Sequence, residues 1–254
     1  MDYGTTNQLL GTTGAGGLGG FDIGWVGLMI FTALIGFATQ SYIKRTFARF
    51  SQVRTARGWT GAQVAEQILQ DNNIHASGGA PTNRDSVGII PTKGSLTDHY
   101  DPRKGIVALS ETVYGQNSIS ANAVAAHEVG HALQTHHRYF FGEMRTRLVP
   151  IVNLTSSAAP FLIILGIMQP LLSGIFWLGI ILYSGSVLFQ LVTLPVEFNA
   201  SRRALVQLEQ SGALTPAEIP GARKVLTAAA LTYLGAALVS ILWLLRYIGM
   251  GRRS

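Results

Sequence analysis

IGWVGLMIFTALIGFATQSYI, residues 23–43, runs for 21 positions without a charged side chain, and Lys44, Arg45 and Arg49 follow it closely. At a rise of about 1.5 Å per residue such a helix is roughly 30 Å long, the thickness of a bilayer's hydrocarbon core. Composition points the same way. A soluble chain carries about 25% charged residues, whereas this one, 254 residues long, has 13% charged and 48% hydrophobic residues. The shortfall sits in long apolar runs. Residues 148–168 and 171–196, split by Gln169 and Pro170, read as a helical hairpin, and a last run, 225–245, lies between Arg223–Lys224 and Arg246. The expectation is a mostly α integral membrane protein of about four transmembrane helices with a small α+β catalytic domain.

That pattern divides the chain. Residues 1–21, rich in Gly and Thr and without Lys or Arg, suit a flexible N-terminal tail rather than the basic start of a cleaved signal peptide. Transmembrane helix 1 follows over 22–43, the catalytic domain over 44–147, the hairpin over 148–196, a segment bearing a candidate ligand over 197–224, and transmembrane helix 4 over 225–246. The net charge of +6 comes from Lys and Arg placed beside the apolar runs, with no basic tract, so no nucleic-acid partner is expected. The absence of cysteine removes thiol proteases, cysteine zinc sites and disulfides together.

Within the polar stretch, Thr60 reads as the N-cap of a helix whose Val64, Ala65, Ile68 and Leu69 recur at helical spacing. SGGAPTNR, residues 77–84, is loop. VGII, GSLTD and KGIVAL are short strand-like runs separated by PTKG and DPRK turn signals, and predict a small antiparallel sheet. SISANAVAAHEVGHALQ, residues 118–134, is helical, with Ser118 or Ser120 as its cap.

That helix carries His127-Glu128-Val129-Gly130-His131. Histidines four apart on a helix share a face and can reach one zinc ion, while the glutamate beside them is free to take a proton from water as general base. A catalytic zinc needs a third protein ligand and an open position. Two side chains compete for that role. His137 lies ten residues after His127, the metzincin spacing, but Gln134 stands where that motif turns the chain with glycine. Without the turn, His136 and His137 become an interfacial pair. Glu197, in LPVEFNASRRA, emerges from an apolar run, and two crossings after His131 return the chain to the same side. Ser201, one turn on, could hydrogen-bond Glu197 or a ligand histidine.

Four blocks in this order, LTDHYDPRKGIVALSETVY, SISANAVAAHEVGHALQ, TLPVEFNASRRAL and KVLTAAALTYL, resemble the YugP-type neutral zinc metallopeptidases, a bacterial membrane family. The likeness covers residues 25 to 245. It implies a gluzincin-like site with His127, His131 and Glu197 as metal ligands, one Zn2+ per chain, and Glu128 as the catalytic base of peptide hydrolysis. It names no substrate. In zincins the strand before the active-site helix, here residues 105–109, pairs with an extended substrate. Asp98, His99, Tyr100 and Asp101 read as a polar turn, with Tyr100 or His99 the candidates for a transition-state donor.

The expected partners are protein or peptide substrates, membrane proteins among them, and the lipid bilayer; oligomeric state is left open. Lys44, Arg45, Arg49, Arg138, Arg145 and Arg147 flank the catalytic segment, and the Gln169–Pro170 turn has no basic residue. This places the catalytic domain on the cytoplasmic face of a bacterial inner membrane. Arg246, Arg252 and Arg253 do not fit that count unless they are outvoted or the last helix fails to cross. The alternative function is a non-proteolytic zinc-containing membrane scaffold or chaperone, in which Glu128 has no task. A transporter lacks charged residues within its spans.

Overall fold

The computed structural model describes residues 23–81 and 85–252; the expected tail and residues 82–84 of the expected loop lie outside them. The chain runs α1 (Ile23–Ser51), α2 (Gly61–Asp71), β1 (His75–Ser77), β2 (Ser86–Thr92), β3 (His99–Asp101), β4 (Ile106–Ser110) and α3 (Glu111–Tyr114). The central helix α4 (Ile119–His136) and the long helices α5 (Phe140–Met168), α6 (Ser173–Gln210) and α7 (Ile219–Gly251) complete it. This is the expected α-dominated membrane architecture with a small α+β part.

Four helices, α1, α5, α6 and α7, are long and apolar enough to cross a membrane. Their surfaces agree with that: Phe37, Leu154, Phe161 and Met168 each leave more than 70% of their area uncovered. Apolar patches of that extent are not stable against water. The α5–α6 hairpin closes tightly because Gly166 lies against the Phe176 backbone and Gly179 against that of Ile163, where neither position has room for a Cβ. The chain after α7's start runs the full length of the bundle. Its last turns set Trp243 4.8 Å from Trp25 at the beginning of α1, and Gly251 meets Trp177 near the start of α6.

The polar part is built around α4. Ser118 caps it by accepting from Ala121 N at 3.1 Å, and Ser120 donates to Phe47 O at 2.8 Å, tying α4 to α1. Ala121, Ala123, Ala125, Ala126 and Ala132 are each 1% exposed or less, because neighbours press on every side of this helix and only small side chains let them approach. Thr60 and Gln63 form a reciprocal capping box at the start of α2. That helix buries Val64, Ala65, Ile68 and Leu69 in one core with Val107, Leu109, Leu133, Leu208 and Leu226.

The sheet corrects an expectation. Its order is β1-β2-β4-β3, with the first three strands parallel and only β3 antiparallel to β4. The DPRK signal does make a hairpin: Asp101 accepts from the N–H groups of Arg103 and Lys104, and Gly105 takes φ 66°. Residues 93–98, however, carry the chain past the neighbouring position. β4 therefore inserts between β2 and β3, pairing Ile89 with Val107 in parallel register.

Candidate metal centre

Helix α4 presents His127 and His131 on one face, one turn apart, with ring centroids 4.8 Å apart and planes at 84°. Glu197 comes from α6, in the turns that continue past its apolar part. Its Oε2 lies 3.3 Å from His127 Nε2 and 3.5 Å from His131 Nε2. Gly130 makes this approach possible, since a Cβ there would stand 2.7 Å from Ala200 O on α6.

Glu197 is 1% exposed, and a carboxylate so buried has to be balanced by donors or cations. The Arg145 guanidinium, from α5, stands 3.3 Å from its Oε1. Among the described residues that oxygen has no other hydrogen-bond partner. Tyr233 brings its phenol beside the same carboxylate from α7. Each histidine has a partner on its other nitrogen: Ser201 Oγ lies 3.2 Å from His127 Nδ1, and Gln134 Oε1 lies 3.0 Å from His131 Nδ1.

These residues fit a divalent metal. His127, His131 and Glu197 each offer one ligand atom, and all three atoms lie within 4.8 Å of one another. Two nitrogens and a carboxylate oxygen are a catalytic zinc donor set, and atoms bound at about 2.1 Å in a tetrahedron lie roughly 3.3–3.5 Å apart. The two His–Glu distances match that separation.

Glu128 is 8% exposed and shares with the two histidines a cavity of about 260 Å³. Burial pushes its carboxyl up to about 7, against the pull of His127, while the neighbouring Glu197 charge adds to the rise. The cavity reaches from β3 to Val149, Val196 and Tyr233 on the long helices.

His137 stands apart from this cluster. Arg138, at φ 49°, turns the chain at the end of α4, and Arg203 Nη1 donates to His137 Nδ1 at 2.8 Å. Residues 105–109 do not offer the free strand edge expected of them, because β4 is hydrogen-bonded on both sides. Among the described residues the outer strand facing the cavity is β3. Asp98 accepts from Ser110 N at 2.7 Å and Ser110 Oγ at 2.9 Å, and Asp101 holds the β3–β4 turn, so both act in the scaffold. Burial is the main reason the Asp98 carboxyl lies above its ordinary value. Tyr100 and His99 line the cavity.

Sequence reasoning missed three residues. In sequence Arg145 reads only as a topology charge, Gln134 only as a missing glycine, and Tyr233 as part of an apolar run. For Tyr233 the available signal was a polar tip within a membrane span.

The comparisons agree with the geometry. The chain is 45% identical over 214 residues to a Bacillus subtilis (strain 168) protein named "Putative membrane protease YugP", covering 84% of this chain and 90% of that relative. No solved structure matches. Residues 25–252 match the family described as "Putative neutral zinc metallopeptidase", and the chain belongs to that family.

Proposed function

We propose that this chain is a zinc-dependent endopeptidase of the membrane, holding one zinc ion through His127, His131 and Glu197 in a gluzincin-type site. The observation that carries this reading is the buried cluster of three ligand atoms with Glu128 on the wall of the same cavity. A purely structural metal would have no use for that carboxylate. When bound, zinc supplies Lewis acidity that acidifies water and polarises a carbonyl. Glu128 takes the proton of the attacking water and delivers it to the leaving amine nitrogen. Its burial raises the carboxyl toward the neutral range, which favours gain and loss of that proton. Arg145 and Tyr233 keep the Glu197 carboxylate in place.

The side of β3 that pairs with no other strand among the described residues suits an extended polypeptide, which would add as a strand through main-chain hydrogen bonds. Because the cavity continues to Val149 and Val196, the substrates we assign are membrane proteins or segments next to the membrane. The domain division of the sequence reading is retained, with residues 44–147 as the catalytic domain. Positive charge at Lys44, Arg45, Arg49, Arg138 and Arg147 favours the cytoplasmic face of the bacterial inner membrane.

The test is turnover of an unfolded polypeptide and a membrane-anchored one by detergent-purified, zinc-loaded protein beside its Glu128→Gln form. Loss of about 10²-fold or more in the variant is expected. Equal behaviour of the two would overturn the proposal.

A further inference from the structure

We infer that Gln134 is a positioning residue of the metal centre, whose amide holds the proton of His131 on Nδ1 and so turns the free lone pair of Nε2 toward the ion. The inference rests on the zinc reading above. Gln134 is 3% exposed, and all of its amide is engaged. One end lies 2.7 Å from the Val196 carbonyl and 3.0 Å from Asn199 Oδ1. A main-chain carbonyl can only accept, so the amide nitrogen faces it and donates. Asn199 Oδ1 is fixed as an acceptor by a second donor, Arg203 Nε at 2.8 Å.

The other end of the Gln134 amide is therefore its oxygen, 3.0 Å from His131 Nδ1. An oxygen acceptor there requires a proton on Nδ1, and a neutral imidazole then keeps its lone pair on Nε2. Nε2 is the atom 3.5 Å from Glu197 Oε2. The two groups that hold the Gln134 nitrogen, Val196 O and Asn199 Oδ1, lie on either side of Glu197 in sequence. One amide thus sets the proton of one ligand and clasps the helix that bears another. A glycine at this position could do neither.

The experiment uses the full-length protein in detergent. Zinc affinity, from competition with a chromophoric chelator, is compared for wild type, Gln134→Leu and Gln134→Glu. The 15N spectrum of histidine-labelled metal-free wild type, with His131 assigned by its loss in His131→Asn, reports the tautomer directly. Expected are the Nδ1–H form in wild type, zinc binding weakened about 10–100-fold in Gln134→Leu, and a smaller loss in Gln134→Glu, whose carboxylic-acid form keeps the acceptor for His131 and one donor for the Val196 carbonyl. His131 protonated on Nε2 in wild type would overturn the inference, as would equal zinc affinity in Gln134→Leu. Should Gln134→Leu not fold, the wild-type tautomer and the Gln134→Glu affinity decide. Wild type that takes up no zinc would bring down the zinc reading and this inference together, whereas zinc uptake unaffected by Gln134→Leu brings down the inference alone.

Discussion

Replacing Gly130 by alanine sets two effects against each other on α4. Helix propensity favours alanine by roughly 1 kcal/mol. Against it, the new Cβ would lie 2.7 Å from Ala200 O and 3.3 Å from its C and Cα, all of them backbone atoms of α6 that cannot rotate away. Ordinary contact begins near 3.4 Å, so the helices must part by about 0.7 Å, the difference between 3.4 and 2.7. Overpacking of this kind costs about 1–3 kcal/mol, leaving a net loss of roughly 0–2 kcal/mol after the propensity gain. Metal binding suffers more than stability. His127 and His131 flank Gly130, and Glu197 lies one turn before Ala200, so the separation falls on the His–Glu gaps of 3.3 and 3.5 Å. Metal sites tolerate only about 0.2 Å of error in ligand distances. Zinc affinity should drop about tenfold or more, while the metal-free melting temperature falls by only a few degrees. Chelator competition and thermal unfolding, each with and without zinc, check this. A variant that melts higher and binds zinc as wild type does would refute the close-approach argument.

Three further outcomes follow from the site and the bundle. With the Glu128 carboxyl pushed up to about 7 in the metal-free protein, its basic form is lost as pH falls, so kcat/KM of the zinc-loaded enzyme should decline on an acid limb below about pH 7. A bound cation moves that limb lower, because positive charge favours the carboxylate; a rate that rises on acidification through this range would contradict the assignment. Arg145→Met removes the partly exposed guanidinium from the 1% exposed Glu197, and should destabilise the metal-free protein by about 1–3 kcal/mol, with much of the loss recovered on adding zinc. Thermal melts of both forms measure it, and equal losses with and without zinc would deny that the ion and Arg145 share the Glu197 charge. Gly166→Leu drives a side chain onto the Phe176 backbone and should split the α5–α6 hairpin, seen as a lower yield of monodisperse protein in detergent, whereas wild-type yield and melting would contradict the packing.

Much of this was readable from local pattern. The spans announce themselves by absent charge, and the two histidines by a spacing that any helix enforces. Glu197 could be singled out because a carboxylate at the end of an apolar run has to serve some purpose, and because counting crossings returns it to the side of His131. The sheet was not legible. Turn residues mark where hairpins bend, but whether β3 or β4 lies beside β2 depends on contacts remote in sequence. The same holds for Gln134, Arg145 and Tyr233. Gln134 meets Val196, Arg145 meets Glu197 and Tyr233 reaches the cavity only because α4, α5, α6 and α7 converge at one point. No window of sequence contains that convergence.

The most direct test of the central claim is metal content per chain, by elemental analysis of detergent-purified wild type beside Glu197→Ala and His137→Ala. The account predicts about one zinc in wild type and in His137→Ala, and loss of the metal in Glu197→Ala. Zinc retained by Glu197→Ala, or lost from His137→Ala alone, would contradict it.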